Sequence, residues 1–240
     1  MSISRKALVT GASRGIGAAT ALKMAQRGYD VALNFRNKAP RAEQVAAQIA
    51  ALGHSALMAQ ADITNPADVS AMMTLIAREF GHLDALILNA SGGLEANKAD
   101  DYAMTLNLTA QMSVTKAAAE LLQPGGRIVF VTSHWAHFYG SKSVMPVYEP
   151  VAKSKRAGEE ALREYSIQLA NKGITLVVVS GDAIEGTITP RLLERKSRSH
   201  FQPRRLPTID EFAEAIADAT VDTKLVNGQT IFVGSTETEP

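Results

Sequence analysis

The chain has 240 residues, of which 46% are hydrophobic and 20% charged, and its formal net charge is +1. These values are typical of a globular protein with a substantial core and give no reason to expect a nucleic acid as partner. The absence of cysteine excludes disulfides, thiolate metal sites and a cysteine nucleophile, and we expect no metal site. No apolar run approaches the roughly 20 residues of a membrane span, so we expect a cytoplasmic protein without a membrane partner.

Strand and helix signals alternate along the whole chain. The predicted strands are Ala7–Val9, Val31–Phe35, Ser55–Ala59, Leu83–Leu88, Arg127–Thr132, Ile174–Val179 and Gln229–Val233. The predicted helices are Ile16–Arg27, Arg41–Leu52, Pro66–Phe80, Asp101–Leu122, Val151–Asn171 and Glu211–Thr220. Continuous apolar strands separated by helices indicate a parallel sheet that is covered on both faces. We therefore predict the α/β class: a single doubly wound domain over residues 1–240, with a seven-stranded parallel sheet.

A glycine-rich turn follows the first predicted strand. The segment Thr10–Gly17 reads Thr-Gly-Ala-Ser-Arg-Gly-Ile-Gly and leads directly into a predicted helix. A dinucleotide pyrophosphate needs this order, because the glycines allow close backbone approach and the helix start offers unpaired N–H groups. The pattern indicates a Rossmann domain, although three glycines can also simply shape a loop. The predicted cofactor contacts here are Gly11, Ser13, Arg14, Gly15, Ile16 and Gly17.

The ends of the next strands suggest which dinucleotide binds. Arg36 lies one residue past the second predicted strand, Arg14 lies in the glycine-rich turn, and the next acidic residue after Arg36 is Glu43. A free ribose 2′-hydroxyl prefers a carboxylate at this place, whereas a 2′-phosphate prefers a cation. The sequence therefore favours NADP(H) over NAD(H), unless Arg36 is only a solvated charge. Further predicted cofactor contacts follow the third and fourth strands, at Asp62, Ile63, Asn89, Ala90 and Ser91.

With these motifs, the chain resembles the short-chain dehydrogenase/reductase family from about Lys6 to Gly234. The matching segments are Thr10–Gly17, Asp62-Ile63, Asn89-Ala90, Gly126–Ser133 and Val226–Val233. The resemblance implies hydride transfer between nicotinamide C4 and the carbon of a small-molecule carbonyl or secondary alcohol. It implies a tyrosine that transfers the proton, with its pKa lowered by a lysine, a serine that holds the substrate oxygen, and an asparagine in a proton relay. It also implies a homodimer or homotetramer formed through the two long predicted helices.

Asn107 and Ser133 match the family's asparagine and serine, but the tyrosine and lysine lack the family's Tyr-x-x-x-Lys spacing. Counting back from the sixth strand places the lysine at Lys155 and the tyrosine position at Val151. Counting forward from Tyr148 instead requires a lysine at position 152, which is an alanine. We predict that Tyr148 acts with Lys155, which also binds the cofactor ribose, and we keep Lys153 as the second choice.

The residues around this pair leave alternatives open. Pro150 favours a helix that begins near it, which leaves Tyr148 just outside the helix, where the chain can fold back toward the site. The segment between Ser133 and Lys155 is about five residues longer than the resemblance leads us to expect. It carries Tyr139, a rival proton donor, and the weaker candidates His134 and His137.

The substrate side is predicted mainly from the resemblance. Ile184 is expected to meet the nicotinamide carboxamide through its backbone, and Thr187 to lie near the cofactor phosphates. Residues 190–207 are expected to form a substrate lid. This segment contains one acidic residue, Glu194, and six basic residues: Arg191, Arg195, Lys196, Arg198, Arg204 and Arg205. Such a lid suits an anionic substrate, although a solvated basic loop explains the pattern equally well.

We conclude from the sequence that the leading hypothesis is an NADP(H)-dependent oxidoreductase of the short-chain dehydrogenase type. A 3-oxoacyl thioester is a narrower candidate for its substrate. The displaced tyrosine motivates an alternative, a catalytically silent NADP-binding sensor or scaffold protein.

Overall fold

Seven parallel strands form one sheet in the part of the chain that the structure, a computed structural model, describes, namely residues 4–95, 98–187 and 205–236. The strands are β1 Arg5–Val9, β2 Tyr29–Phe35, β3 Ala56–Gln60, β4 Leu83–Leu88, β5 Leu122–Ser133, β6 Thr175–Gly181 and β7 Gln229–Val233. Their order across the sheet is β3-β2-β1-β4-β5-β6-β7. This confirms the predicted seven-stranded parallel sheet of the Rossmann type.

Helices cover both faces of the sheet, as predicted. They are α1 Gly15–Gln26, α2 Ala39–Ala51, α3 Pro66–Phe80, α4 Tyr102–Met104, α5 Gln111–Ala118, α6 His134–His137, α7 Glu149–Ala170 and α8 Ile209–Val221. Successive strand residues point to opposite faces, so Leu8 lies in one apolar core and its neighbours Ala7 and Val9 in the other. The first core contains Leu162 of α7, and the second contains Phe212 of α8.

Local signals fix several helix boundaries. The side chain of Asn65 accepts a hydrogen bond from the Ala67 N–H at 3.0 Å, Pro66 opens α3, and Gly81 ends it with φ +77°. The predicted bounds Pro66–Phe80 are therefore correct, as are those of β4 and β7. Most other predicted boundaries lie within two residues of the observed ones, while α6 is an additional short helix that the sequence pattern did not predict.

The long helix predicted over Asp101–Leu122 is wrong in two respects. After the short helix α4, residues Thr105–Ala110 form a π-helical turn, and α5 ends at Ala118. The widened turn lies where α7 approaches most closely, since a Cβ on Gly158 would overlap the carbonyl oxygen of Asn107. Leu122, expected to end the helix, instead begins β5, and the pairing register between β4 and β5 shifts before Arg127. The segment with Pro124 therefore bulges within a strand that starts earlier than predicted.

The strand order reverses between β1 and β4, which lie side by side at the centre of the sheet. In a doubly wound sheet, ligands bind beyond the carboxyl ends of the strands near this switch point. The loops after β1, β2, β4 and β5 therefore meet at one edge. Within the described ranges, no helix is both long and apolar enough to cross a membrane.

Candidate active site

A cavity of about 490 Å³ opens at this edge of the sheet. It brings together most of the predicted cofactor residues, whereas Ile184 and Lys155 do not line it. Those that line it are Gly11, Ser13, Arg14, Gly15, Ile16, Gly17, Arg36, Asp62, Ile63, Asn89, Ala90, Ser91 and Thr187. A volume of several hundred cubic ångströms at the switch point is what a dinucleotide requires.

The glycine loop has a shape that other residues would disturb. Gly11 and Gly15 have φ angles of +68° and +55°, in the left-handed region. A Cβ on Gly17 would overlap the carbonyl oxygen of Gly11, so the loop and the helix start pack backbone against backbone. The N-cap residue Arg14 makes no side-chain hydrogen bond to α1. The first N–H groups of α1 are therefore available for phosphate oxygens.

Two polar side chains that the sequence analysis did not single out hold this loop in place. The Asn34 Oδ1 accepts a hydrogen bond from the Gly11 N–H at 3.3 Å, and its amide nitrogen donates to two backbone carbonyls at the end of β3. The Thr10 hydroxyl accepts from the N–H groups of Asn89 and Ala90 at 2.9 and 3.0 Å. A polar residue inside the buried strand β2 is the signal that would have identified Asn34.

Arg36 lies at the far end of the cavity. Its Nη1 donates to the Tyr102 hydroxyl at 3.0 Å and lies 3.6 Å from an oxygen of Asp62. Burial alone would raise the pKa of Asp62, but hydrogen bonds from Thr64 and the charges of Arg36 and Lys98 lower it below its usual value. The carboxylate therefore stays charged beside the guanidinium.

The Ser133 Oγ lies 3.1 Å from the Tyr148 Oη. Ser133 ends β5, where its hydroxyl also accepts from the Ala136 N–H and caps α6. Tyr148 is the N-cap of α7, just outside the helix as Pro150 predicted, and is 6% exposed. The ring of Trp135 packs edge-on against the Tyr148 ring, at 5.1 Å between centroids. The structure thus brings the predicted serine and tyrosine together.

The predicted electrostatic coupling between Tyr148 and Lys155 is not observed. Burial raises the pKa of Tyr148, and the hydrogen bond from Ser133 lowers it only in part. Burial lowers the pKa of Lys155 to about 8, against the attraction of Glu159. Seven residues of helix separate the two by about 10 Å along the axis, and no hydrogen bond joins these two described side chains. The resemblance implied a tyrosine with a lowered pKa, and here it is raised.

The other candidates differ in their surroundings. Lys153 is exposed on α7. The Tyr139 hydroxyl donates to Glu149 at 3.1 Å, and the His137 Nδ1 lies 2.8 Å from an oxygen of Glu159. His134 is buried with its Nδ1 at 2.8 Å from the Ser180 hydroxyl. It lines a small cavity of about 30 Å³, together with Ser133, Trp135, Tyr148, Gly181, Asp182 and Ala183.

Comparison with known proteins decides the family. Residues 5–196 match the family described as short chain dehydrogenase. This chain is a short-chain dehydrogenase. It is 30% identical over 240 residues to the 1-cyclohexenylcarbonyl-CoA reductase of Streptomyces collinus, a match that covers 94% of this chain and 84% of the relative. Over 180 residues it is 34% identical to a hydroxynaphthalene reductase of Aspergillus fumigatus, covering 72% of this chain and 64% of that one.

Two of the solved structures that resemble this short-chain dehydrogenase contain NADP. A short chain dehydrogenase from Burkholderia cenocepacia J2315 in complex with NADP superposes with a TM-score of 0.79 at 31% identity, covering 95% of this chain and 96% of the other. The angucycline C-6 ketoreductase LanV with bound NADP superposes with a TM-score of 0.80 at 28% identity, covering 97% and 95%. These comparisons agree with the fold derived from the strand order.

In this dehydrogenase, the hydrogen bonds of Asn107 to described residues connect structural elements, and none goes to Ser133 or Tyr148. Its amide nitrogen donates to the Gly92 carbonyl at 2.8 Å and to the Ser154 hydroxyl at 2.9 Å. Asn107 is 1% exposed and lies in the π-helical turn. It therefore ties the loop after β4 to α7, and Ser154 is a partner that the sequence analysis did not predict.

The loop after β6 holds the last predicted cofactor residues. Ile184 is buried, and its carbonyl accepts from the Thr187 N–H at 3.2 Å and the Thr187 hydroxyl at 2.7 Å. Most of the predicted lid, residues 190–204, lies outside the described residues. Arg205, which is described, is exposed and forms an ion pair with Glu211. Over the described ranges, no group of three or more His, Asp or Glu side chains is arranged to hold a metal ion.

Proposed function

We propose that this protein is an NADP(H)-dependent oxidoreductase that transfers hydride between nicotinamide C4 and the carbon of a carbonyl or secondary alcohol. The 3.1 Å pair of Ser133 Oγ and Tyr148 Oη, at the carboxyl end of the central sheet, carries the proposal. Family membership and the reductase names of the relatives support the reaction class. The NADP found in both similar structures supports the cofactor.

The residues of the 490 Å³ cavity fit this cofactor. Gly17 packs closely on Gly11, so no side chain separates the backbone of the loop from the cavity. A pyrophosphate would therefore contact the backbone directly. Arg36, at the end of β2, would pair with the 2′-phosphate, and Asp62 would hold the adenine edge. Ile184 would meet the carboxamide, and Thr187 the phosphates.

In the proposed mechanism, Tyr148 donates a proton to the carbonyl oxygen of the substrate. Burial keeps the pKa of its phenol above the ordinary value, so the donor is protonated at neutral pH. The Ser133 hydroxyl, 3.1 Å from the phenol, donates a second hydrogen bond to the same oxygen. The bound dinucleotide supplies the hydride. Lys155, buried about two turns further along α7, would hold the nicotinamide ribose.

A catalytically silent binding protein is less well supported. A silent protein has no need to keep a serine and a tyrosine hydroxyl in hydrogen-bonding contact across an altered sequence spacing. Here the N-terminal end of α7 places Tyr148 on Ser133, although Val151 occupies the position from which the family's tyrosine would project. The contact between Ser133 and Tyr148 is present although the spacing between the tyrosine and the lysine is altered. This favours an active enzyme over a silent protein.

The substrate is proposed to be a largely apolar carbonyl compound. Trp135, Tyr148 and Val151 form a buried cluster, against which Leu94 and Met145 pack. Of these residues, Trp135 and Tyr148 line the small cavity, and apolar walls bind apolar rings or chains. A 3-oxoacyl thioester is the narrower candidate, supported by the CoA ester in the name of one relative and by the basic residues predicted for the lid. Homodimer or homotetramer formation stays a prediction, testable by light scattering.

The test is NADPH oxidation, followed by absorbance, against a panel of ketones, β-ketoesters and acyl thioesters. We expect turnover by the wild-type protein and its loss in Tyr148→Phe, which removes only the proton-donating hydroxyl. Tyr139→Phe is the matched control, since it removes a hydroxyl that contacts Glu149 instead. Turnover that survives Tyr148→Phe would contradict the assigned donor. Tight NADPH binding without turnover of any panel member would favour the silent alternative.

A further inference from the structure

A second cavity of about 570 Å³ lies beyond Arg36 and shares several residues with the nucleotide cavity. Both cavities are lined by Arg36, Ala61 and Asp62, while Lys98 lines only the second one. The shared residues place this second cavity at the adenosine end of the proposed cofactor site. A group attached to the adenosine ribose would therefore project into it.

The positive side chains in this region come from two separate parts of the chain. Arg36 follows β2, and Lys98 belongs to the segment between β4 and α4. Tyr102 joins them, because its hydroxyl accepts from Arg36 Nη1 at 3.0 Å and its ring lies 4.7 Å from Lys98 Nζ. The hydroxyl of Tyr102 thus orients the Arg36 guanidinium, and the face of its ring orients the Lys98 ammonium.

The charge of Lys98 is available to an anionic group beside Arg36. Arg36 and Lys98 are exposed, while Asp62 accepts two hydrogen bonds from Thr64 and lies 3.6 Å from Arg36. Asp68 also lines this cavity, where its carboxylate accepts from the Asp62 N–H and the Asn65 amide. Among the described residues Arg36 pairs with Asp62, whereas Lys98 forms no ion pair, so its charge can bind an anion such as a phosphate monoester. Arg36 offers a planar fork and Lys98 a point charge, which together suit three terminal phosphate oxygens.

From this arrangement we infer that Lys98, held over the ring of Tyr102, is a second cation for the 2′-phosphate of NADP(H) and contributes to the choice against NAD(H). The inference rests on the proposed nucleotide site and assigns to it a residue from the segment after β4. Tyr102 is a positioning residue, since it orients both cations without needing to touch the phosphate.

Binding of two small probes to the full-length protein, adenosine 2′,5′-bisphosphate and adenosine 5′-monophosphate, tests the inference by calorimetry. They differ only in the 2′-phosphate. In Lys98→Met we expect affinity for the bisphosphate to fall about ten-fold, the size of one charge-assisted contact, and affinity for the monophosphate to stay unchanged. Lys116→Met is the matched control, because Lys116 on α5 lies over the ring of Tyr165 at 5.9 Å, away from both cavities.

Tyr102 variants separate its two contacts. Tyr102→Phe removes the hydroxyl that accepts from Arg36 and keeps the ring beneath Lys98, whereas Tyr102→Leu removes both. We expect the loss of bisphosphate affinity to be greater in Tyr102→Leu than in Tyr102→Phe. Equal losses would show that the ring beneath Lys98 has no part in phosphate binding and would overturn the inference.

Arg36→Met separates failure of the inference from failure of the proposed function. Unchanged bisphosphate affinity in Arg36→Met would overturn the proposed 2′-phosphate site and the inference with it. Lost affinity in Arg36→Met together with unchanged affinity in Lys98→Met would overturn the inference alone. Equal losses of bisphosphate affinity in Lys98→Met and Lys116→Met would show that only the overall charge of the protein matters. That result would also overturn the inference.

Discussion

Gly158 of α7 lies with its backbone directly against the carbonyl oxygen of Asn107, so close that a Cβ would overlap it. The contact joins the middle of the longest helix to the π-helical turn, and the Asn107 side chain adds a hydrogen bond to Ser154 on the same helix. Tyr148 and Lys155 lie on this helix or at its start, so the contact fixes where both are held relative to the sheet.

We therefore predict that Gly158→Ala destabilises the protein. In an open helix position alanine is favoured over glycine by about 1 kcal/mol, but overlap with a backbone oxygen forces the helix away and costs about 1–3 kcal/mol. Denaturant unfolding measures the free energy of unfolding. The matched variant is Ala161→Gly on the same helix, where helix propensity alone should act. A Gly158→Ala protein more stable than wild type would contradict the close contact.

Replacement of Lys155 is predicted to stabilise the protein while removing activity. The pKa of Lys155 is about 8 in the fold and 10.5 when unfolded, so between these pH values the unfolded chain binds more protons. Stability therefore rises with pH across this window, and below pH 8 the buried ammonium costs up to about 3 kcal/mol. We expect Lys155→Met to unfold at higher denaturant concentration than wild type at pH 7, with the difference shrinking toward pH 10.5.

Lys153→Met is the control for this prediction, because Lys153 is exposed two residues earlier on the same helix. Its stability should match that of wild type at both pH values. If Lys155→Met were less stable than wild type at pH 7, the ammonium would have a stabilising partner, and the burial argument would fail.

The pH dependence of alcohol oxidation should report Tyr148. Oxidation needs the phenolate to accept a proton, and burial raises the pKa of Tyr148 while the hydrogen bond from Ser133 lowers it in part. The oxidation rate should therefore keep rising above pH 10, while carbonyl reduction, which needs the phenol, should not be limited by this group at neutral pH. In Ser133→Ala the alkaline rise should move to still higher pH. Ser141→Ala, a loop serine that donates to the Phe138 carbonyl, should leave the rise in place.

The buried carboxylate of Glu159 is predicted to support α7 through charge. Its side chain is fully buried between His137 at 2.8 Å and Arg163 at 2.9 Å. Glu159→Gln leaves the Arg163 guanidinium without its counter-charge and should lower the free energy of unfolding by about 2–4 kcal/mol. The neighbouring Glu160→Gln, which removes an exposed pair with Arg156, should change it by less than about 1 kcal/mol. Similar losses in the two variants would argue against a special role for Glu159.

Much of the fold follows from local sequence signals. The bounds of α3, β4 and β7 were predicted correctly because an asparagine cap, a proline and a C-terminal glycine, or a run of apolar residues, act over a few neighbouring positions. The glycine loop was predicted for the same reason, since the spacing of Gly11, Gly15 and Gly17 encodes backbone angles and close contacts directly.

The neighbouring sequence could not predict the π-helical turn that interrupts the expected helix Asp101–Leu122, because the cause of this turn lies on another element. Gly158 admits the Asn107 carbonyl across a helix–helix contact, and nothing in the sequence around Asn107 signals a π-turn. The sequence analysis did not identify Tyr102 or Lys98 for a similar reason, since the contact of Tyr102 with Arg36 joins residues far apart in the chain.

By itself, the sequence determined the parallel sheet and the glycine loop, since periodicity and turn chemistry are local properties, and the family resemblance predicted the serine and the tyrosine. Only the tertiary structure decided that Tyr148, despite its altered spacing to Lys155, reaches Ser133 at 3.1 Å. It also decided that burial, rather than the lysine, sets the pKa of that tyrosine. Distances across packed elements and the loss of solvent around a side chain depend on the whole fold.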